Sequence, residues 1–224
     1  MVKTSGRFIK SLKVGLMFLA IIWTVHMIQW VLNISFYQIG GVYPRTISGM
    51  PGILLSPFLH GSFMHLINNS APLLVLTVII IYFFKDVATE SLLLIYVLTG
   101  VMVWLFARPV YHIGASGVVY GMVSFVFWCG IFVRNIKTII LALIVAILYS
   151  GMFLGVLPNQ EGISWESHLM GGIIGIFVAY IMRDKIKSLD PPEQPKWEDE
   201  EPSRYFFDRD VFGEDSNDDN YWRT

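Results

Sequence analysis

Residues 113–133 read IGASGVVYGMVSFVFWCGIFV, without an Asp, Glu, Lys, Arg or His among them. As a helix rising 1.5 Å per residue the stretch covers about 30 Å, the thickness of a bilayer's hydrocarbon core. At that depth no water is present to pair with the backbone, so the segment must satisfy its own N–H and C=O groups and reads as a membrane-spanning helix. A serine among small residues, Ala115-Ser116-Gly117, stands near its head.

The same reading extends to both sides of this stretch. Of the 224 residues 54% are hydrophobic and 15% are charged, and the mean hydropathy is +0.58; a water-soluble domain carries about 25% charged residues. Apolar runs predict six spans, at 14–34, 62–84, 91–107, 113–133, 138–156 and 167–182. The fold class is therefore an all-α membrane protein, a six-transmembrane-helix bundle. The single cysteine, Cys129, excludes an intrachain disulfide and a cysteine-cluster metal site. The first apolar run is too long for the core of a secretory leader and lacks a small-residue cleavage site, so it reads as a span that stays.

Short-loop cations set the orientation. With the N-terminus inside, the inner segments hold Lys3, Arg7, Lys10, Lys13, Lys85, Arg134, Lys137, Arg183, Lys185 and Lys187, and the outer loops only Arg45 and Arg108. Both termini are then cytoplasmic, and spans two, four and six enter the membrane from outside. The first outer loop, 35–57, is punctuated by Gly40-Gly41, Pro44, Gly49 and Pro51-Gly52 and is too long for a simple connector. Its apolar stretches (Phe36, Tyr37 and Ile53-Leu54-Leu55) place it in the membrane interface. After Lys187 the composition turns acidic, with Pro191-Pro192 and Pro195 near the turn, which predicts a disordered tail. Trp197, Phe206-Phe207 and Tyr221-Trp222 are candidate anchors there for a cytoplasmic partner. The chain divides into a basic N-terminus (1–13), a six-span core (14–187) and the tail (188–224).

Polar side chains inside spans are costly and mark function. Three clusters stand out: His60, His65, Asn68 and Asn69; Gly114-Ala115-Ser116-Gly117 with Tyr120; and Ser167-His168. Each lies at the start of a span that enters from outside. Ser116 is about 27 Å of helix from Arg134, and His168 about 22 Å from Arg183, so both fall in the outer half of the membrane. His65 and Asn69 share a helical face, as do Ser116 and Tyr120. Gly117 and Gly121 form a small-xxx-small pair on span four, and Gly171 and Gly175 another on span six, a pattern that lets helix backbones approach closely. If those faces meet, Ser116 and His168 come within hydrogen-bond reach and nucleophilic acyl transfer becomes available. Outer carboxylates are limited to Glu161 and Glu166, and Glu166 is badly placed to orient His168 from two residues away, which favours a dyad over a triad. Unpaired N–H groups at the helix head, with His65 and Asn69, are the donors in reach of an oxyanion. His26, His60 and His112 read as interhelical hydrogen-bond partners. There is no His-Glu-x-x-His motif and no sign of nucleotide or nucleic-acid binding.

His65-Leu-Ile-Asn-Asn69, Gly114-Ala115-Ser116-Gly117 with Tyr120, and Ser167-His168-Leu-Met-Gly171 with Gly175 resemble, in order and spacing, the motifs of the rhomboid family of intramembrane serine proteases. The preceding run Ser56-Pro57-Phe58-Leu59-His60-Gly61 resembles the family too. The resemblance covers 14–182 and implies the bacterial six-span form, in the plasma membrane. It implies Ser116 as nucleophile, His168 as general base and acid, an oxyanion hole of His65, Asn69 and the Ser116 backbone N–H, and Tyr120 stacked on His168. Ser167 replaces a frequent alanine, a change expected to be tolerated. The Trp-Arg pair common in the family's first outer loop is missing, with Arg45 a candidate substitute for its arginine. The implied substrates are membrane proteins cut in or near a transmembrane helix, with no cofactor and no metal. The alternative is a catalytically inactive relative that binds client transmembrane helices.

Overall fold

A computed structural model of the chain describes residues 2–158 and 164–188. The acidic tail from 189 onward and Glu161 lie outside the described residues. Among the described residues eight α-helices run in order: α1 (Val2–Leu32), α2 (Tyr37–Gly40), α3 (Gly52–Leu55), α4 (Phe63–Phe83), α5 (Ala88–Phe106), α6 (Ser116–Val133), α7 (Ile136–Leu148) and α8 (Trp165–Ser188). Among the described residues one isolated antiparallel bridge, Val42 to His112, is the only extended pairing.

Helices α1, α4, α5 and α6 are each long and apolar enough to cross a membrane. A fifth candidate is α7 taken with the 3₁₀ turn Ser150–Val156, which is bent from it by 65°. Long apolar side chains are exposed around the bundle, among them Phe106, Ile136 and Ile147, as expected of surfaces that meet lipid. The chain is a multi-pass helical membrane protein. Charged residues bracket the apolar middle of α8, with Glu166 in its first turn and Lys185 and Lys187 in its last.

The bend corrects the continuous span predicted at 138–156. Helical geometry ends at Tyr149, just before Ser150-Gly151, and another glycine follows at 155. Glycine loses more backbone freedom in a helix than any other residue, so this stretch gives up regular helix cheaply. Two of its carbonyls are used instead by side chains from other helices, as described below for the candidate site.

Helix α6 is the centre. Of its span 56% is buried, against 17% for α1, 33% for α4 and 28% for α5. Its closest partner is α8, and glycines explain how the two approach. A Cβ added at Gly171 would fall on the Gly117 carbonyl, and one at Gly175 on the Gly121 carbonyl. Ser124 Oγ donates to the Gly172 carbonyl at 2.7 Å and adds a hydrogen bond to this seam.

The segment between α1 and α4 folds into short helical turns stapled to α5 and to the approach of α6. Arg45, at φ 59°, donates from Nη1 to the carbonyls of Ala107 (2.8 Å) and Leu105 (3.2 Å). Trp104 Nε1 donates back to the Thr46 carbonyl at 2.9 Å. A cation is thus set on the otherwise unpaired carbonyls at the C-terminal end of α5, where helix geometry favours positive charge. Val42 exchanges both backbone bonds with His112, and Gly114 N–H donates to the Ser56 carbonyl at 2.9 Å. These ties hold the chain just ahead of Ser116.

Candidate active site

The chain reaches Ser116 through Gly114, whose φ of +105° is a conformation only glycine adopts readily. Helix α6 starts at Ser116, so the side chain projects from its first turn. His168 lies in the first turn of α8. Because Gly117 and Gly171 let the two backbones touch, Ser116 Oγ and His168 Nε2 come to 2.8 Å. His168 Nδ1 lies 2.8 Å from the Gly155 carbonyl. A carbonyl can only accept, so Nδ1 carries the hydrogen, and in a neutral imidazole Nε2 is then the acceptor for the Ser116 hydroxyl proton. The Tyr120 ring stacks on His168 at 4.1 Å between centroids and 7° between planes. Its hydroxyl donates to the Met152 carbonyl at 2.6 Å.

Ser116, His168, His65, Asn69 and Tyr120 all line one cavity of about 920 Å³. Its remaining walls are largely apolar, including Met64, Pro72, Val119, Leu148 and Met152. Helix α4 supplies His65 and Asn69 and is capped by Ser62, whose Oγ accepts from the His65 N–H at 3.1 Å. The His65 ring packs against Gly114, where a Cβ would sit only 2.6 Å from Nε2. Asn69 spends one amide hydrogen on the His65 carbonyl at 2.9 Å and keeps a second for another acceptor. The first backbone N–H groups of α6 have no acceptor within the helix. Hydrogen-bond donors from α4 and α6 thus share the cavity that Ser116 lines, and donors aimed at a developing oxyanion are what acyl transfer needs.

His60 sits behind His65, with the two rings 5.0 Å apart and edge to face. Burial, with His65 beside it, pushes the His60 imidazole down to about 3, so it is uncharged. His26 Nδ1 reaches the His60 carbonyl at 3.2 Å and ties α1 to this loop.

Sequence reasoning missed Gly155 and Met152, which act through backbone carbonyls that every residue type carries. The absence of a side chain at Gly155 is the one trace: a Cβ there would run into the Tyr120 hydroxyl. Glu166 pairs with Arg108 at 3.0 Å, while the two ring nitrogens of His168 meet Gly155 and Ser116. Ser167, expected to be a tolerated replacement for alanine, shares a hydrogen bond with Ser164 at 2.6 Å.

Residues 47–185 match the family model described as the rhomboid domain. An uncharacterized protein of Mycobacterium tuberculosis is 32% identical over 176 residues, covering 75% of this chain and 73% of that one. One from Mycobacterium bovis has the same figures. Another, from Mycobacterium leprae, is 31% identical over 176 residues, covering 75% and 69%. With the family model spanning more than half of the chain and these relatives aligned over most of their length, the chain belongs to the rhomboid family.

Proposed function

We propose that this protein is an intramembrane serine endopeptidase that hydrolyses peptide bonds in or near the transmembrane helices of other membrane proteins. The observation that carries the reading is the continuous relay from Gly155 O through His168 to Ser116 Oγ, with 2.8 Å at each step. Ser116 Oγ attacks the scissile carbonyl carbon while its proton passes to His168 Nε2. His65, Asn69 and the Ser116 N–H receive the oxyanion. His168 then returns the proton to the leaving amine, and an acyl-enzyme forms. Water, deprotonated by His168 in its turn, releases the acid and restores the serine. A neutral carbonyl stands behind the histidine in place of a carboxylate: it fixes the tautomer but stabilises the imidazolium less.

In this reading the core, 14–187, crosses the membrane six times, with α8 as the last span and both termini cytoplasmic. The plasma membrane of a bacterium is the expected location, and the segment between α1 and α4 lies in the outer interface. Residues 188–224 form a cytoplasmic tail. Substrates are membrane proteins whose helix unwinds near its outer end, which glycine, alanine or serine makes easier. No cofactor takes part in the chemistry. A fluorophosphonate probe is expected to label the wild type and not Ser116→Ala. Equal labelling of the two would take Ser116 out of the role, and no labelling of either would leave the client-binding alternative.

A further inference from the structure

A second serine–histidine pair lies beside the first. Ser116 and His168 are 52 residues apart, and so are His112 and Ser164. Each member of the second pair stands four residues ahead of a member of the first, with the two residue types exchanged between the strands of the ladder. His112 Nδ1 and Ser164 Oγ are 2.6 Å apart. His112 Nε2 lies 3.0 Å from the Arg108 carbonyl, so it carries the hydrogen and Nδ1 accepts from the Ser164 hydroxyl. Burial holds the His112 imidazole below its ordinary range, against the opposing pull of the Arg108 carbonyl and Glu166, which keeps it in this accepting form at neutral pH.

Ser164 is held from the other side as well. It precedes the first residue of α8, and its Oγ accepts from the Ser167 N–H at 3.4 Å and from the Ser167 hydroxyl at 2.6 Å. It is therefore the N-cap of the helix that carries His168. His112 is equally well anchored, through both backbone bonds to Val42. One residue past Trp165, the buried Glu166 carboxylate receives Arg108 Nε at 3.0 Å. The approach to α6 and the head of α8 are thus joined by a partly buried hydrogen bond and an ion pair, just ahead of the dyad.

We propose that the His112–Ser164 pair is a positioning device for the dyad: it registers the head of α8 against the approach to α6 and so sets the distance from Ser116 to His168. This rests on the serine-protease reading and deepens it. Ser164 borders the same cavity as Ser116. Its Oγ is already engaged by His112 on one side and by the Ser167 hydroxyl and N–H on the other, which suits it to positioning and not to attack.

The test measures the rate constant of fluorophosphonate labelling per folded molecule, with kcat and KM for a model transmembrane substrate, in wild type, Ser164→Ala, Ser164→Thr and Ser116→Ala. Labelling reports the activation of Ser116 separately from substrate docking. Ser164→Ala is expected to slow labelling and kcat together by about 10-fold with KM within about twofold, as for a misplacement of reacting groups by a fraction of an ångström. Ser164→Thr, which keeps both the hydroxyl and the capping ability, is expected to recover most of the loss. Wild-type labelling rates in Ser164→Ala, or equally slow Ala and Thr variants, would overturn the proposal alone. Labelling at Ser164 in Ser116→Ala would overturn it in favour of a second nucleophile. An unlabelled wild type would remove the protease reading and this proposal with it.

Discussion

The two ends of α6 are built on different principles. Around Ser116–Ser124 the helix meets backbone: glycines at 171 and 175 bring α8 against its carbonyls, and Ser124 donates into that seam. Toward Val133 it meets side chains. Phe125, Val126 and Cys129 are fully buried and Phe125 packs edge to face on Phe84 at 5.3 Å; backbone approach is confined there to Gly130, which lies against Ala142 and the Thr138 carbonyl. Contacts between backbones cannot relax by changing rotamer, whereas a cluster of side chains can share a displacement among several torsions. The first end fixes positions to a fraction of an ångström, and the second supplies volume. A relay of two hydrogen bonds such as Gly155–His168–Ser116 belongs at the first.

The largest effect expected of this contrast is catalytic. His168→Ala should lower cleavage of a model membrane substrate by about 10⁴-fold or more, since the serine loses its base. Cleavage close to the wild-type rate would mean that another group takes the proton. Asn69→Ala, also at this end, should cost about 100-fold in kcat if its free amide hydrogen meets the oxyanion. An unchanged kcat would make Asn69 a packing residue bound only to the His65 carbonyl.

Two one-atom changes compare the ends directly. Gly171→Ala adds a methyl against the Gly117 carbonyl and should destabilise by about 3 kcal/mol while slowing fluorophosphonate labelling of the molecules that remain folded. Cys129→Ala removes one buried atom at the other end and should cost about 1 kcal/mol, with labelling and cleavage rates unchanged. Thermal or denaturant unfolding in detergent, read beside labelling, measures both. If Cys129→Ala slowed labelling as much as Gly171→Ala, the division between a positioning end and a filling end would be wrong.

Much of this was legible in the chain. Apolar length located the helices at 62–84, 91–107 and 113–133 to within a few residues of α4, α5 and α6, because in lipid the backbone has few alternatives to helix. Period and spacing put His65 with Asn69 and Ser116 with Tyr120, since residues four apart share a helical face. The bend after Leu148 escaped detection because an apolar run containing Gly151 and Gly155 satisfies a hydropathy window as well as a straight helix does. Glu166 was visible as a poor partner for His168, but its pairing with Arg108 depends on which loop lies across from it. Arg45 was visible as a lone outer cation, but not the carbonyls of Leu105 and Ala107 that it covers.

By itself the sequence determined that the chain is a membrane protein built of helices, and which of its polar residues stand at helix heads. Hydrophobicity and helical period are local properties, and local properties survive being read in one dimension. Only the tertiary structure decided that the hydroxyl of Ser116 meets the imidazole of His168, that a carbonyl from a bent loop selects the tautomer, and that a second pair lies alongside. Those are distances between segments 13 to 52 residues apart, and a hydrogen bond that forms at 2.8 Å is gone with a displacement of about an ångström.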